Sequence, residues 1–546
     1  MNNKQIGNAF QQLAALMEYH GDNPFKVKTY SNAYITLRKL DTPLADLKDV
    51  ELAAIKGIGA SLASGIRELI NTGKLTAYEI LAAKTPEGVI EMLRLSGYGA
   101  KKIRQLTDEL EVETLGELYY ACEENRLVKL KGWGEKTQAD IQQKIIYLQN
   151  AKGKRLYPNA LAIANEVVQT LQYAFPDSKT EVTGELRRAC PVVARVELLS
   201  TVNHDDLLAI ATITILSQND NQYLISINEQ SNIYVYLCDN DNWGNKLFLT
   251  TGTRPFLDAF LAQGKAQKYQ NMATETAVFA AAQLPYIVPE RRDSSDASFV
   301  FENPVLVAQS DLKGLLHIHT TYSDGLHTLT EMAYRAAELG YEYIGITDHS
   351  KAAFYANGLD GTRLRQQWEE IDNLNAQLTN IRILKGIECD ILSDGRLDYS
   401  DDVLAEFDFV IASVHSGLRM DKTKATERVL RALDNKYVRI LGHPTGRLLL
   451  ARPGYELDTP AVIAACAERG IAIELNANPN RLDLDYTHIP AAMQAGVRIA
   501  INPDAHSKNG ISDTQYGILA ARKGGLTPAA CLNVLSCEKF LALKVR

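Results

Sequence analysis

Residues 311–546 predict an α/β barrel, and three observations carry that prediction. Seven short apolar runs alternate with amphipathic stretches, as parallel strands joined by helical crossovers require. Each of six runs leads into residues able to hold a metal, and six of the chain's ten histidines lie there. In such barrels the C-terminal strand ends meet around one pocket, so residues distant in sequence converge.

In chain order, Leu315 to His319 comes first; side chains alternate along a strand, so His317 and His319 point to the same side. Asp324 follows. Tyr343 to Thr347 leads into Asp348 and His349, and Ile383 to Ile387 into Glu388. Phe409 to Val414 runs into His415, Val438 to Gly442 into His443, and Ile471 to Leu475 adds a further strand. Val497 to Ile501 precedes Asp504 and His506. Patterns of helical period, such as Leu329 to Leu339 and Thr459 to Arg469, supply the crossovers.

A single histidine at a strand end is ordinarily a core residue bonded to backbone, and a single acid there a helix cap. That reading fails for nine donors together: His317, His319, Asp324, His349, Glu388, His415, His443, Asp504 and His506. With no cysteine among them they exceed the needs of one tetrahedral zinc and suit two or three divalent ions such as Mn, Zn or Fe. Glu388 can bridge two. Closely spaced ions activate water and stabilise charge on attacking and leaving oxygens, so a phosphate ester is the natural substrate. Arg447 and Arg481 are candidate catalytic contacts, through bidentate pairing with phosphate.

His317-Ile318-His319, Asp324, Thr347 to Ser350, Gly386 to Asp390, Ser413 to Ser416, Gly442 to Arg447, Glu474 to Asn478 and Asp504 to Ser507 resemble the motif set of the polymerase-and-histidinol-phosphatase (PHP) domain. The form is the one at the C-terminus of bacterial family X DNA polymerases. The resemblance implies a distorted (β/α)7 barrel with three metals. His317, His319, Glu388 and Asp504 would hold one ion, Glu388, His415 and His443 a second, and Asp324, His349 and His506 a third. It further implies a Mn-dependent 3′–5′ exonuclease, with abasic-site endonuclease or 3′-end cleaning action as further options.

The full 546 residues, 46% hydrophobic, imply several soluble domains. No apolar run reaches the ~18 residues of a membrane span and no signal-peptide pattern opens the chain, so a cytoplasmic protein is expected. Seven cysteines without a Cys-x-x-Cys pair read as reduced packing residues. The net charge of −8, with 19 basic and 19 acidic residues over positions 1–150, excludes nucleic-acid binding by bulk charge. Any such contact must be local, with a modest salt slope.

A local device occurs three times. Ile55-Lys56-Gly57-Ile58-Gly59, Leu95-Ser96-Gly97-Tyr98-Gly99 and Leu130-Lys131-Gly132-Trp133-Gly134 each precede a helical stretch. The glycines permit a tight turn, and amides at the following helix start form an anion site suited to a DNA phosphate. These segments resemble helix-hairpin-helix motifs, with Lys101, Lys102 and Lys136 adding charge beside the turns and Trp133 read as packing. The first copy, with Phe25 to Tyr30, also resembles the small N-terminal domain of family X polymerases. The lysine that forms a Schiff base in its lyase members corresponds here to Gly65, so that activity is expected to be absent.

Gly184-Glu185-Leu186-Arg187-Arg188 resembles the start of the family X palm motif, which leads to a strand bearing Asp-x-Asp. The matching triplet is Arg195-Val196-Glu197, and Asn232 to Leu237, where a third aspartate belongs, has no acid. Glu197 alone cannot assemble a two-metal site, so synthesis is expected to be lost while the palm fold persists. Thr251-Gly252 and Leu284 to Arg291 still match the palm and thumb. The expected organisation is a helical domain at 1–80, a helical fingers-like region at 81–150, a nucleotidyltransferase-like α+β palm and thumb at 151–290, a linker at 291–310 and the barrel at 311–546. The expected partner is gapped, nicked or 3′-ended DNA bound through its backbone, with no membrane. A small-molecule phosphatase, an active polymerase and a non-catalytic DNA scaffold stand as alternatives.

Overall fold

Strands Gly314–Leu315, Tyr343–Ile346, Arg382–Asp390, Phe409–Ser413, Val438–Leu441, Ala472–Asn476 and Ile499–Asn502 form one parallel sheet in chain order. The computed structural model describes residues 1–546 other than 41, 111, 116, 117, 119, 120, 123–126, 152, 228–230, 265–270, 294–303, 419, 451, 452 and 544–546. Alternation along each strand sorts side chains into two cores. Leu316, Tyr343, Leu384, Phe409, Ile411, Ile440, Ala472 and Ala500 fill the interior and pack on Phe540. Ile344, Ile346, Ile383, Val410 and Leu441 face the surrounding helices. A Cβ on Gly345 or Gly386 would lie 2.3 or 2.6 Å from the Phe409 ring, so those glycines make room for the aromatic that plugs the interior.

The first predicted strand is shorter than expected, because laddering stops at Leu315. Beyond it a lone bridge joins Ile318 to Ala505, with the His319 amide donating to the Ala505 carbonyl at 2.9 Å. The seam between first and last strands is filled by amide side chains. Asn502 accepts from the Leu316 amide at 3.2 Å, and Asn533 donates to the Gly314 carbonyl at 2.9 Å. The barrel is nearly closed, and the strand ends that carry the histidines meet.

The chain divides into two compact units, 1–152 and 153–546. The first is helical, with one apolar cluster drawn from Ile6 to Leu75 and another from Val89 to Ile145. The second holds the barrel and a five-stranded mixed sheet. Its strand order is Thr180–Thr183, Val196–Ser200, Ser231–Leu237, Gln222–Ile227, Ile213–Asn219, and helix Tyr157–Ala174 packs against it.

The stretch expected as a linker at 291–310 is packed at both of its described ends. Arg291 and Arg292 are buried, and Asp293 pairs with Arg188 and Lys523. The Lys523 ammonium also donates to the Arg188 carbonyl at 3.0 Å, while Arg522 meets Glu290 at 2.5 Å. Lys523 and Arg522 end the barrel helix Thr514–Lys523, so charge pairing draws the start of the polar stretch into a packed seam. Val307 is buried in the barrel core. Residues 294–303, which complete the Arg291 to Ser298 stretch, lie outside the described residues. Among the described residues no helix is long and apolar enough to cross a membrane.

Candidate metal centre

Glu388 sits at the middle of the convergent strand ends, 1% exposed. One carboxylate oxygen lies 2.9 Å from His443 Nε2, 3.1 Å from His415 Nε2 and 3.3 Å from His317 Nε2. The other lies 3.0 Å from His349 Nδ1 and 3.5 Å from His319 Nε2. Asp504, held at a positive φ of 51°, brings Oδ1 to 3.0 Å from His319 and 3.5 Å from His317. Asp324 is 3.3 Å from His506 Nε2 and 3.7 Å from His349 Nε2.

Nine donors spread over 190 residues of sequence thus meet in one cluster. Three sets of their atoms are close enough to hold an ion: His317, His319 and Asp504; His349, Glu388 and His415; and His319, Asp324, His349 and His506. The grouping differs from the one the resemblance implied: His319 and His349 each belong to two sets, Glu388 to one, and His443 to none. Burial leaves His317 Nε2, both nitrogens of His319, Glu388 Oε2 and His443 Nδ1 without a hydrogen bond. Buried unpaired polar atoms cost about 1–3 kcal/mol each, and their concentration at one point fits a bound cation. The donor chemistry, nitrogen and oxygen without thiolate, suits divalent transition ions.

The electrostatics are those of a centre that wants positive charge. Burial works against ionising Glu388 and Asp504, yet the surrounding imidazoles hold both carboxyls well below their usual range. Burial likewise pulls down His415 and His506, but the facing carboxylates outweigh it and lift them to about 10 and about 9. His319 is the exception: burial, with His506 and His349 beside it, pushes it down to about 3.

Three carboxylates absent from the predicted donor set support it. Glu474, fully buried, accepts from His317 Nδ1 at 2.7 Å, from Asn502 at 3.0 Å and from the His443 amide at 2.8 Å. Asp390 bonds His415 Nδ1 at 2.5 Å. Asp348 accepts from Thr320, Ser323 and Gln367 and so shapes the loop that carries Asp324. The sequence signal was there: Asp348 and Asp390 stand one residue before and two after a predicted donor. Orienting partners of this kind typically change metal affinity 10–100-fold. Glu474→Gln is therefore expected to weaken metal binding by about 10-fold or more with the fold intact; calorimetric titration with Mn2+ checks this, and unchanged affinity would refute the orienting role.

Of the two arginines read as phosphate contacts, Arg447 is spent elsewhere. Its guanidinium pairs with Asp485 at 2.5 Å and donates to the carbonyls of Arg481 and Leu482, fixing that loop. Arg481 stays at the site, its Nε 3.7 Å from Asp504 and its side chain 22% exposed.

The two residues matched to the palm motif are engaged by neighbouring side chains. Arg195 lies over the Tyr234 ring at 4.0 Å, and Glu197 accepts from the Tyr236 hydroxyl at 2.8 Å. Both tyrosines come from the strand that lacks its acid. A Cβ on Gly184 would meet Glu197 Oε2 at 1.9 Å, so the glutamate is packed against the motif's first residue.

The three glycine turns share one geometry. Gly57, Gly97 and Gly132 have φ of 95°, 88° and 85°, which disfavours any other residue. Each turn is closed by an amide from the next residue, Ile58, Tyr98 or Trp133, to a carbonyl three residues back. Helices Ala60–Thr72, Ala100–Leu110 and Glu135–Ala151 follow. A Cβ on Gly59, Gly99 or Gly134 would meet nothing within 4 Å, so internal packing does not demand glycine there; approach by an external group would. Lys101, Lys102 and Lys136 are exposed beside the turns. Tyr98 and Trp133 stack at 5.7 Å, and they donate hydrogen bonds to Asp140 and Gln105 respectively, which ties the second turn to the third. A Cβ on Gly65 would be 3.0 Å from Phe10 and 3.3 Å from Leu75, so this position is part of the helix packing.

Comparison with known proteins matches both ends of the chain. Residues 1–75 match a helix-hairpin-helix domain and residues 316–478 a PHP domain. The DNA polymerase/3′-5′ exonuclease PolX of Bacillus subtilis is 36% identical over the whole of both chains. A probable phosphatase of Thermoanaerobacter sp. is 28% identical over 42% of this chain and 94% of its own. A probable phosphatase of Acetivibrio thermocellus is 35% identical over 29% of this chain and 63% of its own.

Proposed function

Since the chain belongs to the bacterial PolX family of family X DNA polymerases with a C-terminal PHP domain, we propose that it is a metal-dependent DNA phosphodiesterase acting as a 3′–5′ exonuclease. The observation that carries this reading is the convergence of nine nitrogen and oxygen donors, six of them buried and several with unpaired atoms, on one cluster around Glu388 and Asp504. The proposed ligands are His317, His319, Asp324, His349, Glu388, His415, His443, Asp504 and His506, and manganese is the proposed metal. Divalent ions held there supply an activated water and offset charge on the attacking and leaving oxygens.

The protein's own groups do the positioning. Glu474 and Asp390 accept the Nδ1 protons of His317 and His415, which turns each Nε2 toward Glu388. Arg481 offers a cation at the rim to a non-bridging phosphate oxygen. The chain binds DNA through its helix-hairpin-helix segment, and the proposed contacts are the amides after Gly57, Gly97 and Gly132, with Lys101, Lys102 and Lys136. Gapped, nicked or 3′-ended duplex is the proposed form, abasic-site or blocked 3′-end cleavage a further option of the same centre, and the cytoplasm the proposed compartment. The palm, with Arg195 and Glu197 engaged by tyrosines, is assigned to holding rather than copying DNA.

The test is a 5′-labelled, 3′-recessed duplex with Mn2+, run beside His317→Ala. Stepwise shortening that the variant loses is the expected result. Intact DNA together with turnover of p-nitrophenyl phosphate would favour the small-molecule phosphatase reading, which the phosphatase-named relatives of the barrel alone keep in view.

A further inference from the structure

We propose that Arg363 is a positioning residue of the metal centre: its guanidinium joins the loop that bears Asp324 to the loop that follows His349, and so holds Asp324 where it can take an ion. This rests on the metal reading above and assigns the task to a side chain outside the nine donors. Asp324 needs such a hold. It stands five residues beyond His319 on a turn, and its side chain is 31% exposed. The turn is closed by the Gly325 amide donating to the Thr320 carbonyl at 2.9 Å, and a Cβ on Gly325 would lie 2.7 Å from the Thr320 backbone. A carboxylate on a turn keeps its aim only if the backbone beneath it is fixed.

Helix Gly361–Gln377 supplies the fixed point. Leu364, Ile371 and Leu374 are buried in the barrel core and anchor it. Asp360 caps its start, accepting from the Thr362 and Arg363 amides at 2.9 Å, which sets Arg363 in the first turn. Arg363, Gln367 and Glu370 are spaced i, i+4 and i+7 and share one face. Glu370 accepts from the Tyr322 hydroxyl at 2.8 Å. Gln367 donates to Asp348 at 2.6 Å, and Asp348 accepts from the Ser323 amide at 3.1 Å. Arg363 donates to the carbonyl of Tyr322, two residues before Asp324.

Arg363 also grips the second loop. It donates to the Asn357 carbonyl at 2.8 Å and the Gly358 carbonyl at 3.2 Å, just before the Leu359 amide returns to the His349 carbonyl at 2.9 Å. Asn357, at a φ of 58°, reaches back with its side-chain amide to the Tyr322 and Ser323 carbonyls at 3.4 Å. A planar guanidinium presents its N–H groups in a fixed fork and bridges carbonyls of two segments, which a single ammonium does less well. The donor set His319, Asp324, His349 and His506 draws on both clasped loops. His349 has a further tie, the Ser350 amide donating to the Glu388 carbonyl at 3.0 Å, so loss of the clasp falls on Asp324.

The experiment titrates the full-length protein, Arg363→Ala, Arg363→Lys, Asp324→Ala and the Asp324→Ala/Arg363→Ala pair with Mn2+ by calorimetry, with circular dichroism to check the fold. Arg363→Ala is expected to weaken one site by about 10-fold or more and to leave the others unchanged, the range typical of residues that orient ligands. Arg363→Lys, which keeps the cation and loses the fork, should weaken the same site by less. With Asp324 already replaced, the further loss of Arg363 should change no remaining site, because the two act through one contact. Unchanged Mn2+ affinity in every Arg363 variant that folds, or equal weakening of all sites with and without Asp324, would overturn the positioning role and leave the nuclease reading standing. An unaltered protein that binds no Mn2+ would overturn the metal reading with it.

Discussion

Glu388→Gln is expected to abolish metal-dependent hydrolysis, with a loss on the order of 1,000-fold or more. Both carboxylate oxygens face imidazoles of five different histidines, so this one side chain touches histidines drawn from all three donor sets. The change removes a negative charge while keeping the volume. One of the amide's two ends must then present N–H to nitrogens that are needed as donors to metal, and it cannot act as a bridging ligand. The loss should exceed the 10–100-fold typical of an orienting partner such as Glu474. Metal content by elemental analysis and phosphodiesterase rate are the measurements. Full metal occupancy with a normal rate would show that the centre is not built on Glu388.

The second large effect is on stability, at the seam between palm and barrel. Lys523→Met should destabilise the 153–546 unit by about 2–3 kcal/mol, seen as a lower urea midpoint. The ammonium is 1% exposed, pairs with Asp293 and donates to the Arg188 and Glu290 carbonyls. Methionine keeps the stem but leaves those acceptors unpaired. Breaking a buried pair costs about 3–5 kcal/mol; Asp293 is 28% exposed and retains Arg188, so water and that arginine recover part of it. Adding Asp293→Asn should cost less than the sum of the two changes, because the partners share one interaction. A fully additive pair would disprove the coupling.

The motif Gly184 to Arg188 therefore has a second use in this chain. Arg188 pairs with Asp293 and donates to the Thr251 carbonyl at 2.7 Å, and Arg187 pairs with Glu275 at 2.6 Å. Burial would raise the Glu275 carboxyl, but hydrogen bonds from Arg187 and the charge of Arg292 hold it below its usual value. The stability this pairing contributes is present above the ordinary glutamate range and is lost as pH falls through the lowered value. Arg187 and Arg188 thus tie this part of the chain together.

The barrel and its donors were legible from residues alone because both rest on local rules. Alternation at period two separates Leu384 from Ile383 and Val410 from Ile411, and a polar residue at the end of an apolar run is visible without any partner. The departure from the expected Asp-x-Asp pattern was legible for the same reason: Arg195 cannot be an acid in any fold. What the residues could not state was pairing. That Arg447 is spent on Asp485 while Arg481 stays at the site, that His319 serves two sets of donors, and that Asp293 is clasped by a lysine 230 positions away all depend on contacts between distant segments. Side-chain type and period follow from the covalent chain; which of several chemically equivalent partners is met, and which face is left to water, follow only from the closed barrel and its packed seam.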